Sequence, residues 1–465
     1  MICSDSRQVI AGSLFVAVPG VTGRGDDFIG DAVKRGARVI IREPSGKPFV
    51  APPGVWGIEV KDVRGCLLAL LKRFYEDPSR RVRTVGITGT NGKTTITYLL
   101  ESIFARAGRS SGIIGTIGHR FKGKQFKAAN TTPGLVDNYR YLAEMADQHV
   151  EYCLMEVSSH ALEQGRVDGI EFCSAVFTNL TSDHLDYHKD REAYFGAKAK
   201  LFLNLSADGT AIVNTDDPYG KKLAGISGGK ITSYGIDAPA DVMAVDIDLK
   251  LTHSTFVIKT QDIHIPVETK LIGRHNVYNI VAAAAVCLKE NIAPEAIAQG
   301  VAALAAVPGR LEQISEGQDF HVYVDYAHTE DALKNVLTSL RRVTDEKILV
   351  VFGCGGDRDR TKRPLMGKVA CQLADQAILT NDNPRSEEPL AIIREIAEGF
   401  DKKNYEIIAD RTAAIQTALG RAQKNEVVLI AGKGHEDYQI FKDKTITFNE
   451  RDIVRSCLRS LPSKK

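Results

Sequence analysis

Apolar and polar positions along this chain keep switching between two periods, and the switches mark out its elements. Val85 and Ile87 sit among β-formers in Arg83-Thr-Val-Gly-Ile-Thr88, which predicts a buried strand. Ile96, Leu99, Leu100, Ile103, Phe104 and Ala107 then recur at helical spacing. Earlier, Leu14-Phe-Val-Ala-Val18 and Ala37-Arg-Val-Ile-Ile41 read as strands, with a helical stretch near Ile29 to Lys34 between them. Val63 to Tyr75 carries helical periodicity and stops at Asp77-Pro78, a linker signal. Ser4-Asp-Ser-Arg7 comes almost at once, with no strand or cap expected before it. Further along, Tyr152 to Val157 and Phe172 to Thr178 are strand-like, a β-rich patch runs from about Val242 to Leu271, and Ala-rich helices continue to about Ala306. From Pro308 the alternation is regular. Strands are expected at His321 to Val324, Ile348 to Phe352, Ala377 to Thr380, Tyr405 to Ile408 and Val427 to Ala431, with helices from Asp331 and around Met366 to Leu373.

The fold class expected is α/β in three domains: an N-terminal α/β unit over 1–80, a central P-loop ATPase-like parallel-sheet domain with a small β-rich patch over 81–307, and a Rossmann-like, doubly wound domain over 308–465. The last lacks a Gly-x-Gly-x-x-Gly turn after its first strand, which argues against dinucleotide binding.

Gly89-Thr-Asn-Gly-Lys-Thr-Thr95 joins the strand ending at Thr88 to the following helix. Backbone N–H groups exposed by such a loop, with the positive end of the helix dipole, make an anion site. Lys93 adds a positive charge for terminal phosphates, and Thr94 or Thr95 a hydroxyl for magnesium. The glycines fall at Gly86, Gly89 and Gly92, and Ile87 occupies the place of the usual first glycine. A glycine-rich turn without a ligand is the bland alternative. Strand, helix and Lys-Thr-Thr together weigh against it.

Composition narrows the classes. The 465 residues exceed what one core supports. With 60 basic against 58 acidic residues, nothing at whole-chain level points to nucleic acid. Apolar runs such as Val281 to Leu288 are too short to span a bilayer, so no membrane insertion is expected. The eight cysteines form no C-x-x-C pair, and with no signal peptide in view a reducing cytoplasm is the expected location.

Seven motifs in order resemble the Mur ligase family: Gly89–Thr95, Asn130-Thr-Thr-Pro133, Glu156-Val-Ser-Ser-His160, Thr181-Ser-Asp-His-Leu-Asp186, Pro308-Gly-Arg310, Asp325-Tyr-Ala-His328 and Asp382-Asn-Pro-Arg385. The resemblance implies ATP-dependent amide formation through an acyl phosphate, with ATP and Mg²⁺ as cofactors, a UDP-N-acetylmuramoyl dipeptide as the substrate whose carboxylate is activated, and a monomeric enzyme. Lys93, Glu156, His184 and Lys198 take the catalytic places, with Lys198 carbamylated. Gly89, Thr90, Asn91, Gly92, Lys93, Thr94, Thr95, Asn276, Asn279, Arg310 and Asp325 match the ATP positions, and Thr94, Glu156, His184 and Lys198 the metal positions. Ser6, Thr131, Thr132, Ser158, Gln164 and Arg166 match the UDP-dipeptide positions. Without that register, Lys198 would read as a solvated helix lysine. His328 reads as functional or as an ordinary helix-start histidine with equal weight.

The amine is implied by Asp382, Asn383, Pro384 and Arg385, with Arg358, Gly432 and Glu436 completing the pocket. In the family, arginine at the last place of that motif marks meso-diaminopimelate users. The chemistry agrees, because a guanidinium can bind the second carboxylate bidentately, whereas lysine as substrate would leave it unpaired. The alternatives are a lysine-adding version, another ligase of the superfamily such as a folylpolyglutamate synthase, and a nucleotide-binding scaffold without chemistry.

Overall fold

The computed structural model describes residues 1–20, 23–44, 50–181 and 190–461. Their contacts gather into two compact units, one made of 1–86 with 110–173 and the other of 87–109 with 174–465.

In the first unit, four parallel strands run in the order Ile2–Cys3, Leu14–Val16, Val39–Arg42 and Trp56–Glu59. Cys3, Val9, Phe15, Ala17, Ala32 and Ile40 form their core, with Ala32 supplied by the short helix Ile29–Lys34. The expectation of an uncapped, strandless start is corrected here. Ile2–Cys3 is a strand, and Asp5 caps the turn Ser6–Gln8 by accepting from the Arg7 N–H at 2.9 Å. Two residues are too few to show an alternation, and the cap was hidden inside the motif itself.

A second sheet of the first unit begins with the buried strand Tyr152–Glu156. Beyond Tyr152–Glu156 come Ser111–Ile114, paired parallel, then His119–Phe121 and Lys124–Phe126, paired antiparallel. In the second unit, Thr210–Asn214, Lys230–Gly235 and Val242–Leu249 run in parallel, and Ser254–Lys259 and His264–Thr269 close their sheet antiparallel. The sheet is therefore mixed, its antiparallel strands including the expected β-rich patch. Strands buried on both faces read as unbroken apolar runs, and Tyr152–Glu156 and Thr210–Asn214 are buried at every position.

The C-terminal sheet runs Glu312–Gln313, His321–Asp325, Val427–Ala431, Ile348–Phe352, Gln376–Leu379, Tyr405–Ile407, parallel except for the first. Val350 and Phe352 face a core shared with Leu333, Leu337, Met366 and Ile396, while Val351 faces Ile415, Leu419, Ile430 and Val454. Helices thus cover both faces, the doubly wound arrangement expected. Last in sequence but central in space, Val427–Ala431 puts its carboxyl end beside those of His321–Asp325 and Ile348–Phe352.

Candidate active site

The phosphate loop is shaped by two glycines in the left-handed region. A Cβ on Gly89 (φ +140°) would stand 1.8 Å from the Thr178 hydroxyl, and one on Gly92 (φ +94°) 2.4 Å from the Asn279 amide oxygen. Gly92 also precedes the helix Lys93–Arg106. The loop is held from outside. Thr90 N donates to Asn179 O at 2.8 Å, Asn91 N to Asn179 Oδ1 at 3.1 Å, and Thr178 Oγ1 to Asn91 O at 2.6 Å. Lys93 Nζ turns back to donate to Gly89 O and Thr90 O, both at 2.8 Å, so its charge lies over the loop. Thr94 and Thr95 are buried at the helix start.

Lys198 settles its two readings in favour of the interior. It sits on the helix Arg191–Leu203 at 1 % exposure, donates to Gly89 O at 2.9 Å and lies 4.3 Å above the Tyr194 ring. A solvated helix lysine is excluded. Asn276 and Asn279 are buried on the helix Arg274–Lys289, and Asn279 Nδ2 donates to Asn276 Oδ1 at 3.0 Å.

From the C-terminal region, an Arg310 guanidinium nitrogen donates to the Thr94 hydroxyl at 3.3 Å and the group stacks 4.9 Å over the Tyr326 ring. Asp325 is buried and accepts from the N–H groups of Leu311 (2.6 Å) and Ala327 (2.8 Å). Burial pushes its carboxyl above the ordinary aspartate value, with Arg310 and the two N–H groups opposing. Asp331, which sequence reasoning missed, accepts from Asn91 Nδ2 at 3.3 Å and from the Thr181 hydroxyl at 2.8 Å. His184 lies outside the described residues, and His328 Nδ1 is 2.9 Å from Tyr326 O.

In the first unit, Glu156 ends the strand Tyr152–Glu156 at 1 % exposure. Its two carboxylate oxygens accept from Thr116, Oε1 from the backbone N–H at 3.0 Å and Oε2 from the hydroxyl at 2.9 Å. Thr116 also lies 3.0 Å from the Thr131 hydroxyl. Thr132 Oγ1 donates to Glu156 O at 2.8 Å, and the Ser158 side chain caps the helix Ser159–Glu163. Arg166 bonds Gln164 Oε1 and donates to Thr132 O at 2.9 Å. Thr131, Thr132, Ser158, Gln164 and Arg166 therefore share one network. Ser6 is not part of it; it is buried in the turn Ser6–Gln8. Thr116 had no sequence signal beyond its place after a strand.

Three neighbouring strand ends of the C-terminal sheet carry the remaining residues. Asp382, Asn383 and Pro384 follow Gln376–Leu379 and are buried, and Arg385 follows them in the left-handed region at φ +52°. A bulky residue holds that conformation only when its surroundings impose it. Here Arg385 N donates to Ile440 O at 3.0 Å and its guanidinium to Gly356 O at 2.7 Å. Gly432 (φ +119°) follows Val427–Ala431, and a Cβ there would stand 2.7 Å from Asp382 Oδ2. Asn383 Nδ2 donates to Glu436 Oε2 at 2.9 Å. Arg358 is exposed and donates to Asp357 O, and it shares no hydrogen bond with Asp382, Asn383 or Glu436. Arg411, also missed, donates to Asn381 O at 3.0 Å and Ala431 O at 2.8 Å and pairs with buried Glu450, tying two of these strand ends together. Gly309 and Gly434 pack backbone to backbone, a Cβ on Gly309 falling 2.4 Å from the Gly434 carbonyl carbon.

A glycine loop with an adjacent lysine at a helix start, on an α/β sheet, defines a nucleotide-phosphate-binding protein. Family profiles specify it further. The Mur ligase family catalytic domain matches residues 1–75, the Mur ligase middle domain 87–287, and the Mur ligase glutamate ligase domain 309–434. The chain belongs to the Mur ligase family and has its three-domain α/β fold. It is 44 % identical over 463 residues to the UDP-N-acetylmuramoyl-L-alanyl-D-glutamate--2,6-diaminopimelate ligase of Geobacillus thermodenitrificans (strain NG80-2), covering 98 % of this chain and 94 % of that one. The like-named protein of Solibacter usitatus (strain Ellin6076) is 43 % identical over 459 residues, with 98 % and 92 % covered. A solved structure of such a diaminopimelate ligase superposes with a TM-score of 0.71 at 34 % identity, covering 99 % of this chain and 94 % of that one. The fold is shared with MurF ligase from Thermotoga maritima in complex with ADP, at TM-score 0.64 and 19 % identity, with 92 % and 93 % covered.

Proposed function

We propose that this chain is an ATP-dependent amide ligase joining meso-diaminopimelate to UDP-N-acetylmuramoyl-L-Ala-D-Glu, in the cytoplasmic assembly of peptidoglycan precursors. The observation that carries the reading is the 44 % identity over 463 residues to a protein of that name, joined to the Asp382–Asn383–Glu436 cluster and the imposed turn at Arg385. A carboxylate is a poor electrophile. The D-Glu γ-carboxylate oxygen attacks the γ-phosphorus of ATP, giving an acyl phosphate and ADP. The diaminopimelate nitrogen then attacks the acyl carbon, loses its proton, and the C–O bond to phosphate breaks. The protein's share is to orient three substrates and balance phosphate charge.

Lys93 and the N–H groups of its loop hold the β- and γ-phosphates, and Arg310 reaches the same helix start from the C-terminal side. Asn276 and Asn279 serve the adenine side and Asp325 the ribose. The Thr131–Arg166 network binds the UDP-dipeptide. Mg²⁺, when bound, neutralises charge on the transferring phosphoryl group. The ligands proposed for it are Thr94, Glu156, His184 and a carbamylated Lys198. The donor chemistry fits a hard cation, Glu156 being a buried carboxylate oriented by Thr116. A carbamate on Lys198 keeps one N–H, so the bond to Gly89 O can persist after modification. The proposed domain limits are 1–80, 81–307 and 308–465, in a monomer.

The test is phosphate release with the UDP-dipeptide and a panel of diaminopimelate, lysine, ornithine and D-Ala-D-Ala. Release dependent on the dipeptide and diaminopimelate is expected. A response to lysine alone overturns the amine assignment, and release without need of any amine overturns the ligase reading.

A further inference from the structure

Lys433 lies between Gly432 and Gly434, both at positive φ, and its side chain is entirely buried. An ammonium withdrawn from water costs several kcal/mol unless it is paired and hydrogen-bonded. Lys433 Nζ is paired on every polar side of the amine cluster: it is 3.1 Å from Asn383 Oδ1, 3.2 Å from Glu436 Oε2 and 3.9 Å from Asp382 Oδ1. The Tyr438 ring closes the site 5.6 Å away.

Two consequences follow from that geometry. A lysine ammonium only donates, so it fixes the Asn383 oxygen toward itself and turns the Asn383 amide nitrogen to Glu436. The Asn383 oxygen also accepts from Ile440 N at 3.0 Å, which leaves the amide one orientation. The second consequence concerns charge. Asp382 and Glu436 with Lys433 carry one formal negative charge, the complement of a single ammonium. Without Lys433 they carry two. The far end of diaminopimelate presents an ammonium and a carboxylate; that of lysine presents an ammonium alone. An extra negative charge attracts the second and repels the carboxylate of the first.

We propose that Lys433 is a positioning residue for the amine substrate, which fixes Asn383 and Glu436 and sets the pocket's charge to favour an amino acid with a second carboxylate over one without. The proposal rests on the diaminopimelate reading above. Its test uses Lys433→Met, of similar length but uncharged, and Lys433→Arg, which keeps the charge. Steady-state constants are measured for diaminopimelate, lysine and ATP. Loss of charged hydrogen bonds worth about 1.5–3 kcal/mol corresponds to roughly 10–100-fold. Lys433→Met is therefore expected to raise the diaminopimelate KM about tenfold or more, to change the ATP KM less than about twofold, and to lower the ratio of kcat/KM for diaminopimelate over lysine about tenfold. Lys433→Arg is expected to restore part of that ratio. The ratio is taken within one preparation, so a reduced folded fraction does not alter it. An unchanged ratio, or equal rises in the diaminopimelate and ATP KM, overturns the proposal while leaving the function intact. Wild-type enzyme that ignores diaminopimelate instead overturns the functional reading itself.

Discussion

At the scale of single residues, the candidate site is built from side chains whose orientation is dictated by a second residue. Glu156 is held at both oxygens by Thr116, so Thr116→Val removes one of two orienting donors and leaves the backbone one. Loss of such a supporting partner costs about 10–100-fold in metal affinity elsewhere. The Mg²⁺ concentration giving half-maximal ADP release is expected to rise about tenfold, at unchanged thermal midpoint within a few degrees. Lys198 is the stronger case, being buried against Gly89 O and the Tyr194 ring. Lys198→Ala is expected to fold, by circular dichroism, and to lose nearly all phosphate release. Near-normal turnover would remove it from the mechanism. Arg385→Ala is expected to raise the diaminopimelate KM far more than the ATP KM, because only the former substrate carries a carboxylate for that guanidinium. Equal effects on both would count against the role.

At the scale of elements, the phosphate loop works because backbone rather than side chain occupies the space beside Thr178 and Asn279. Gly92→Ala places a methyl 2.4 Å from the Asn279 amide oxygen at φ +94°, a conformation that alanine resists. ATP binding by equilibrium dialysis is expected to fall by more than tenfold, roughly the cost of displacing Asn279 plus about 1 kcal/mol of backbone strain. This loop and its flanking strand and helix were legible in the sequence, since local periodicity and glycine spacing are properties of contiguous residues. So were five of the six strands of the C-terminal sheet, those at its centre being buried on both faces and writing unbroken apolar runs such as Val427–Ala431; Glu312–Gln313 was not. What escaped was either short or assembled from distant parts. Ile2–Cys3 is too brief for a pattern. Lys433 carries no local signal, because nothing in the neighbouring residues says that a lysine between two glycines turns inward. Thr116 and Arg411 act on residues 40 and 30 positions away, Glu156 and Asn381. Only the folded chain brings them there.

For the whole molecule, buried histidines set an acid limit on stability. Burial pushes His275 down to about 4 and His435 down to about 3. In the unfolded chain histidine titrates near 6.5, so below that pH the unfolded form takes up protons that the native form refuses, and stability falls as pH falls from about 6.5 toward 4. Asp325 and Glu450 act with the opposite sign. Burial raises both, and their contribution is lost as pH rises through their folded values. A comparison isolates the histidine: between pH 7 and pH 5 the thermal midpoint of wild type is expected to drop more than that of His275→Asn. Parallel curves would mean that His275 takes up its proton equally in the native and unfolded states, and would overturn the lowered native value. A last consequence belongs to Gly309 and Gly434, whose backbones touch. Arg310 follows the first, and Glu436 lies two residues beyond the second. Anyone retargeting this ligase to a different amine will find the two loops mechanically inseparable: insertions or bulkier residues at 432–436 will carry Arg310 away from Thr94 and surface as a nucleotide defect. Within the Asp382–Arg385 turn, Asn383 is joined to the 432–436 loop through Lys433 and Glu436, whereas Arg385 is bonded to Gly356 O and Ile440 O, which makes Arg385 the place where a library for new amines should begin.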